Sequence, residues 1–202
     1  MKRMDLFTSA GQSYNYPQYI ELTQELVDEG KTTGPDQSED LIEYTKLNLQ
    51  RMRRWEKTFS VKDEVASKAL QTIPQTWWII TEPWCGDSAQ IITQLGKIAE
   101  SSNGRIDMKI ILRDENLSIM DHYLTHGSRS IPKLIAVDKQ GKELFQWGPR
   151  PAFAQQIVSE WKQNPGERTY EDLKREVHLW YARNKGEEVQ SEILSKLEMH
   201  SE

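Results

Sequence analysis

The residue with the clearest chemical potential in this sequence is its single cysteine, Cys85. It follows an apolar stretch at residues 79–81 and lies where a helix is predicted to begin. The first backbone N–H groups of a helix have no intrahelical partner, and the helix dipole places partial positive charge beside them. Both effects favour the thiolate, which is the nucleophilic form of cysteine. The sequence therefore predicts an activated sulfur at a strand-to-helix junction.

Two neighbours of Cys85 limit this chemistry. Ser88 lies three residues on, where a dithiol enzyme carries its second cysteine, so this chain cannot close an intramolecular disulfide. The Ser88 hydroxyl can donate a hydrogen bond to a thiolate, but it cannot release a mixed disulfide. Asp87 brings negative charge near the sulfur, which raises a thiol pKa and opposes the effect of the helix start. Acidic residues are also simply favoured in a first helical turn, so the sequence leaves the balance open.

The elements that must position Cys85 alternate along the middle of the chain. Strands are predicted at 76–81, 106–112, 132–138 and 143–148, helices at 84–101, 117–126 and 151–161, and a turn at 139–142. Short β-branched, apolar runs between amphipathic helices indicate an α/β sheet with parallel crossovers that ends in an antiparallel hairpin.

Helices are predicted on both sides of this pattern. The first sixteen residues show no clear period and are predicted to form a loose arm, followed by helices at 17–27, 38–58 and 60–72. Ser60 is the expected cap of the third of these helices, with Asp63 in the reciprocal position of a capping box. A final helix is predicted at 169–197, bent near 184–186. We divide the chain into a helical extension at 1–73, a central domain at 74–163 and a C-terminal helical segment at 164–202, packed as one globular unit.

Composition and charge argue against several classes of protein. Of the 202 residues, 37% are hydrophobic and 28% are charged, which is typical of a polar globular protein. The net charge of −5 argues against a nucleic-acid partner. No apolar run reaches the roughly 18 residues of a membrane helix, and none follows the basic residues at the start, so neither a membrane span nor a secretory signal is expected. A lone cysteine excludes a disulfide framework and favours a reducing cytoplasm.

The four histidines do not predict a metal site. His122 and His126 are four residues apart on a predicted helix, a spacing that metal sites also use. No glutamate adjoins His122 in the zincin pattern, and both imidazoles are expected to face solvent near a helix end.

Two separated motifs in this element order resemble the thioredoxin family. The first is Trp84-Cys85-Gly86 after the first strand, and the second is Ile131-Pro132 just before the predicted hairpin. The family pattern is a strand, Trp-Cys-Gly-x-Cys opening a helix, and later a residue–Pro pair with a cis peptide bond. The resemblance covers about residues 74–163 and implies a thioredoxin fold, with a four-stranded mixed sheet between helical layers. The Asp-Ser ending of the motif is similar to a bacterial branch of thioredoxin-like proteins with a Trp-Cys-Gly-Asp sequence.

The resemblance also implies roles for individual residues. Cys85 matches the exposed attacking cysteine, and Trp84 matches the ring beside the thiol. Pro132 matches the cis-proline, and Ile131 matches the residue whose backbone pairs with a bound extended peptide. Arg129, three residues before the proline, is a candidate to approach the thiolate and lower its pKa; otherwise it is a loop arginine in water.

Three functions are compatible with these motifs. In the first, Cys85 reduces a protein or glutathione mixed disulfide, an external thiol such as glutathione completes the cycle as co-substrate, and no bound cofactor is required. In the second, the loss of the second cysteine marks a redox-inert binding or chaperone-type module. In the third, Cys85 to Ser88 resembles the Cys-Gly-x-Ser motif of monothiol glutaredoxins, which hold an iron–sulfur cluster with glutathione, although Asp87 replaces the aromatic residue of that motif.

Overall fold

The computed structural model describes residues 3–200 of the chain, with side chains from residue 6 onward. The helices are α1 (Arg3–Thr8), α2 (Tyr16–Asp28), α3 (Glu39–Thr58), α4 (Asp63–Gln71), α5 (Gly86–Ser101), α6 (Leu117–Met120), α7 (Ala152–Gln163), α8 (Tyr170–Asn184) and α9 (Glu187–Glu198), and the strands are β1 (Gln75–Thr81), β2 (Ile106–Leu112), β3 (Lys133–Asp138) and β4 (Glu143–Trp147). Within this range, no helix combines the length and the apolar character that crossing a membrane requires.

The strands form a mixed sheet in the order β2-β1-β3-β4. Strand β1 runs parallel to β2 and antiparallel to β3, and β3 and β4 form an antiparallel hairpin. Ile79 in the middle of β1 pairs with Ile110 on one side and with Leu134 on the other. The central strand is therefore apolar because neighbours and helices cover it completely. This arrangement confirms the predicted α/β sheet and its terminal hairpin.

The sheet separates two apolar cores. On one face, Trp77 and Ile79 pack with the inner residues of α5 and with side chains from α2, α3, α4, α7, α8 and α9. On the other face, Ile80 and Ile135 pack with residues of α1 and α6. The alternation of side chains along β1 sends successive residues into these two cores. The helices on both sides of the central pattern thus share its larger core.

The N-terminal segment is more ordered than the sequence predicted: the expected loose arm was wrong for residues 3–8, at Tyr14 and at Tyr16, whereas residues 9–13 have no regular structure. Residues 3–8 form α1, and Phe7 is only 3% exposed. The Phe7 ring stacks on Trp78 at 4.7 Å between centroids. The backbone of Tyr14 then exchanges hydrogen bonds with Ile110 of β2. The arm is held by aromatic stacking on the sheet and by edge pairing, which local periodicity does not encode.

The predicted cap of α4 was also wrong. The helix begins at Asp63 with Lys62 as its N-cap residue, so Ser60 does not cap it. The backbone N–H of Lys62 instead donates to Oε1 of Gln190, a residue of α9, at 2.8 Å. A partner from the other end of the chain has replaced the local capping box.

Helix α6 ends at Met120, earlier than the predicted 126. His126 lies beyond it in a turn with φ of 49°. His122 and His126 therefore do not share a helix, and both are exposed. The expected pair of imidazoles at i and i+4 does not form.

The predicted C-terminal helix is divided into α8 and α9. Lys185 and Gly186 both adopt left-handed backbone conformations, with φ of 55° and 82°. A Cβ on Gly186 would lie 2.5 Å from Oε1 of Gln94 and 2.8 Å from a ring carbon of Phe59, so only glycine fits this close approach. The break turns α9 back onto the core, where its inner residues are buried: Val189, Gln190, Ile193 and Leu197.

Candidate functional site

Cys85 lies in the short turn between β1 and α5. It is the N-cap residue of α5, with an extended backbone at φ −78° and ψ 117°. Its N–H donates to the carbonyl of Glu82 at 3.1 Å, which closes the turn. The buried Asn48 of α3 donates from Nδ2 to the carbonyl of Pro83 at 2.8 Å. The strand, the turn and the preceding helical extension thus fix the position of the thiol.

The Ile131-Pro132 pair lies opposite this thiol. The peptide bond between the two residues is cis, and Cys85 Sγ lies 3.4 Å from the carbonyl oxygen of Ile131 as a hydrogen-bond donor. Gly148, with φ of 101°, packs against the backbone of Pro132, since a Cβ at position 148 would lie 2.5 Å from the carbonyl oxygen of Pro132. The structure thus brings Cys85 of the first motif against the Ile131-Pro132 pair of the second, with Cys85 and Ile131 46 positions apart in sequence.

Ser88 lies inside the first turn of α5, against the thiol. Its side chain is 1% exposed, and its Oγ accepts a hydrogen bond from the Thr81 hydroxyl at 2.7 Å. Hydrogen bonds from its hydroxyl and its backbone N–H to the sulfur of Cys85 act to lower the pKa of that thiol. The Ser88 side chain therefore lies in hydrogen-bonding contact with the sulfur of Cys85.

Asp87 is held by two residues that the sequence did not single out. Arg150 Nη2 forms an ion pair with its Oδ2 at 2.6 Å, and the buried Tyr181 hydroxyl donates to its Oδ1 at 3.1 Å. Burial raises the pKa of Asp87, and the charge of Arg150 and both hydrogen bonds oppose that effect. Arg150 follows the hairpin and Tyr181 lies on α8, and no motif marks either residue.

The pKa of the Cys85 thiol is set by the combined effects of burial and of these neighbouring residues. Burial, as the largest cause, and the Asp87 carboxylate raise the pKa of the thiol, while Ser88 and Arg150 lower it. The net direction is upward. The contact of Sγ with the Ile131 carbonyl agrees with this direction, because only a protonated thiol can donate there. The expectation of activation from the helix start alone does not describe this site.

Arg129 and Trp84 lie at the edge of the site. The guanidinium of Arg129 donates to both carboxylate oxygens of Asp121, at 2.7 and 2.9 Å, and its side chain is exposed. The cation that acts on the thiol is therefore Arg150 and not Arg129. The half-buried Trp84 ring lies under Arg113, with 4.8 Å from its centroid to the guanidinium carbon.

A groove of about 1130 Å³ opens above the thiol. Cys85, Gly86 and Ile131 lie at its floor. One wall comes from α3 and the other from α7 and α8, with Leu41, Tyr44, Leu47, Val158, Trp161, Leu173, Lys174 and His178 among the lining side chains. The helical extensions on both sides of the central domain are thus part of the site.

His178 of α8 lies over the start of α5 in a fixed tautomer. Trp55 Nε1 donates to Oε1 of Gln90 at 2.7 Å, and the amide nitrogen of Gln90 lies 3.2 Å from Nδ1 of His178. Since an indole can only donate, this contact assigns the Gln90 amide and makes His178 Nδ1 an acceptor. Burial, Arg51 and the other nearby cations lower the pKa of His178 to about 4. The imidazole is therefore neutral, with its proton on Nε2.

Glu82 is a buried carboxyl group at the end of β1. Its Oε2 accepts a hydrogen bond from the Thr33 hydroxyl, and its Oε1 accepts one from the backbone N–H of Asp114 at 2.8 Å. Burial raises its pKa to about 7 despite these bonds. Sequence reasoning assigned no role to Glu82, although an acidic residue directly after an apolar strand is a detectable signal.

The described part of the chain, residues 3–200, contains no candidate metal site, that is, no group of three or more His, Cys, Asp or Glu side chains that could hold a metal ion.

The class of thioredoxin-fold proteins is defined by four features that this chain combines. They are a parallel β1–β2 pair, an antiparallel hairpin, a cysteine at the N-cap after β1 and a cis-proline before β3. A comparison with protein families agrees, since the family described as Thioredoxin matches residues 34–162. The chain belongs to this family. Among curated proteins, no sequence matches the chain significantly.

Solved structures with this architecture include two at low sequence identity. An HIV epitope-scaffold is 12% identical, with a TM-score of 0.57 over 98% of both chains. A protein of unknown function from Pseudomonas aeruginosa is also 12% identical, with a TM-score of 0.58 over 92% of this chain and 98% of its own. These similarities concern the fold, and they extend over the flanking helices as well as the central sheet.

Proposed function

We propose that this protein carries out monothiol thiol–disulfide exchange through Cys85. The observation that supports this most is the position of the thiol, which is partly buried, lines an open groove and lies opposite the Ile131-Pro132 pair. Ser88 fills the place of a resolving cysteine. The site can therefore form a mixed disulfide with a substrate but depends on a second molecule to release it.

The proposed reaction has two exchange steps. Cys85 loses its proton to solvent, and its thiolate attacks one sulfur of a disulfide, so that a new S–S bond forms and the other half leaves as a thiol after protonation. An external thiol, of the glutathione class, then attacks the mixed disulfide and restores Cys85. In this second step the external thiolate forms an S–S bond with the sulfur held by Cys85, the bond to Cys85 breaks, and Cys85 leaves as a thiolate; the disulfide bond of the substrate is thereby transferred to the external thiol. We place this cycle in a reducing cytoplasm, where such thiols are abundant.

The experiment follows the mixed disulfide directly. Protein incubated with a glutathionylated peptide is quenched with acid and analysed by intact mass. Because the chain has one cysteine, any glutathionyl adduct reports Cys85. We expect the adduct to form in wild type and to disappear when excess external thiol is added. The Cys85→Ala variant must form none, and equal turnover by Cys85→Ala would overturn the proposal.

A matched variant tests the role assigned to Ser88. Ser88→Cys places a second thiol in contact with the first, so the mixed disulfide should be released within the molecule. We expect the adduct to accumulate in wild type and an internal disulfide to form in the variant. An adduct that persists equally in both proteins would show that position 88 does not reach Cys85.

One observation favours a second function, that of a redox-inert binding module. The pKa of Cys85 is raised, and its proton engages the Ile131 carbonyl. A protein that only holds a client in the groove needs no thiolate. Alkylation of Cys85 at neutral pH separates the two functions. A rate below that of free cysteine, together with an unchanged client complex in Cys85→Ala, would favour the binding module.

A further inference from the structure

Three cations act on His178, the residue that lies against Gly86, and two of them have carboxylate partners. Arg150 pairs with Asp87 at 2.6 Å, and Lys174 pairs with Glu171. Arg51 of α3 makes a hydrogen bond to Oδ1 of the neutral Asn48 at 2.8 Å. Among the described side chains, those of residues 6–200, no carboxylate lies within ion-pair distance of Arg51. The one carboxylate that acts on Arg51, at longer range, is Asp87, which already pairs with Arg150. Arg51 is therefore a partly buried cation without a carboxylate partner of its own.

The donors of this cluster converge on Gly86. A Cβ on Gly86 would lie 3.0 Å from Nε2 of His178 and 3.6 Å from Nη1 of Arg51. A side chain at position 86 would thus fill the space between these two groups and the backbone next to the thiol. The imidazole of His178 is the close approach that favours glycine at position 86, since the 3.6 Å contact to Arg51 is an ordinary one and the backbone of Gly86 does not have a positive φ.

His178 contributes a donor and not a base to this place. Its Nδ1 accepts from Gln90, so its proton is on Nε2, the nitrogen beside Gly86. A nitrogen that carries this proton cannot remove one from Cys85. It can, however, donate to an oxygen, and the nearby Arg51 adds charge to the same position.

We propose that His178 and Arg51 form a carboxylate subsite beside Cys85, and that the preferred substrate is a low-molecular-weight disulfide with a carboxylate close to its sulfur. This inference rests on the function proposed above. The walls of the groove favour a small substrate, because α3 stands on one side of the thiol and α7 and α8 on the other. Lys174 of α8 donates to the Tyr44 hydroxyl of α3, and this hydrogen bond connects the two walls.

The test compares dithiodiglycolate with its diamide, two disulfides that differ in charge and little in size. The rate of adduct formation on Cys85 is measured by intact mass in a single turnover. We expect the dicarboxylate to react faster with wild type, and the ratio of the two rates to fall about tenfold in Arg51→Gln, since a charge-assisted hydrogen bond is lost. Arg51→Lys should restore part of the preference, and high salt should weaken it.

The matched control is Arg53→Gln, an exposed arginine on the same helix that pairs with Glu56 outside the groove. It should leave the ratio unchanged. The diamide rate reports whether each variant retains a working thiol and fold. An unchanged ratio in Arg51→Gln would overturn the subsite and leave the proposed function standing. No adduct with either disulfide in wild type would overturn the thiol–disulfide function itself.

Discussion

The residues and the burial around Cys85 have opposing effects on the equilibrium between its thiol and its thiolate. The helix start, Ser88 and Arg150 favour its thiolate, whereas burial and Asp87 favour its thiol, and the second group prevails. The role of Asp87 extends beyond a first-turn acid, because it also anchors Arg150 and Tyr181. The carboxylate that disfavours the thiolate therefore also holds two side chains beside the groove in place.

Asp87→Asn tests this balance. Loss of the negative charge lowers the pKa of Cys85, and the freed Arg150 guanidinium acts in the same direction, so a larger fraction of the thiol is ionised at neutral pH. We expect alkylation of Cys85 by iodoacetamide at neutral pH to become several-fold faster. The measurement is the rate of alkylation against pH, whose midpoint should shift downward.

Tyr181→Phe serves as the comparison, because it removes a hydrogen bond to Asp87 but keeps the carboxylate. It should shift the midpoint much less than Asp87→Asn does. A midpoint that stays in place in Asp87→Asn would show that the Asp87 charge does not act on the thiol.

Glu82 gives the stability a pH dependence with a definite sign. Its pKa is about 7 in the folded protein against 4.5 for an ordinary glutamate, so the folded state binds more protons between these values. Stability is then lost as the pH rises from about 4.5 to about 7, by roughly 3 kcal/mol from this group. Glu82→Gln keeps both hydrogen bonds, since the amide can accept from Asp114 and donate to Thr33, and removes the titration.

We expect the Gln variant to gain stability over wild type as the pH rises through this window. Urea unfolding at several pH values provides the free energies of unfolding. Glu25→Gln, on the exposed face of α2, is the control and should show no such trend. A constant difference between Glu82→Gln and wild type would contradict the raised pKa.

At the scale of elements, tertiary contacts replace local signals at several helix ends. Helix α4 begins where Gln190 of α9 accepts from Lys62, and α8 ends where Gly186 passes against Gln94 and Phe59. Both contacts involve the C-terminal segment. The position of α9 thus depends on two close approaches that the central domain provides.

The variant Gly186→Ala tests the close contact of Gly186 with Gln94 and Phe59, and Gly166→Ala is the matched control. Both glycines have positive φ, at 82° and 58°, but a Cβ at 166 meets nothing within 4 Å. Gly166→Ala should therefore cost about 1 kcal/mol of unfolding free energy, from backbone strain alone. Gly186→Ala should cost about 3 kcal/mol, because the new methyl group also displaces Gln94 or Phe59. Equal losses in the two variants, measured by chemical denaturation, would rule out the steric effect.

At the scale of the whole molecule, a single apolar core joins the central sheet to the helices on both sides. Buried residues from α2, α3, α4, α8 and α9 belong to the same cluster as Trp77 of β1. Helices that bury their inner faces in a shared core gain stability mainly from that packing. We therefore expect the predicted extensions and central domain to unfold together.

Ile193→Ala tests this cooperativity. Ile193 of α9 is fully buried, so its truncation should cost about 3 kcal/mol. Tryptophan fluorescence, which includes Trp77 in the sheet, and far-UV circular dichroism should shift to the same lower urea midpoint. Ser195→Ala, exposed on the same helix, should leave the midpoint in place. Two separate transitions in Ile193→Ala would show that α9 unfolds independently.

The sequence by itself determined the order of the elements and the two motifs. Periodicity distinguishes β1 from α5, and Trp84-Cys85-Gly86 and Ile131-Pro132 are readable because each signal lies within a few neighbouring residues. The N-terminal arm was predicted incorrectly because its structure depends on contacts with Trp78 and Ile110, which are distant in sequence. Local sequence patterns do not encode such contacts.

Only the tertiary structure decided which charges act on Cys85. Arg150, from the loop after β4, acts on the thiol, and Arg51 of α3 acts on the neighbouring Asp87. The neutral His178 of α8 lies against Gly86. Folding places these three residues around one helix start. Electrostatic effects depend on distance through space and on burial, and neither quantity is written in the spacing of residues along the chain. The sequence therefore located the thiol, while the fold determined its protonation and the shape and charge of the groove above it.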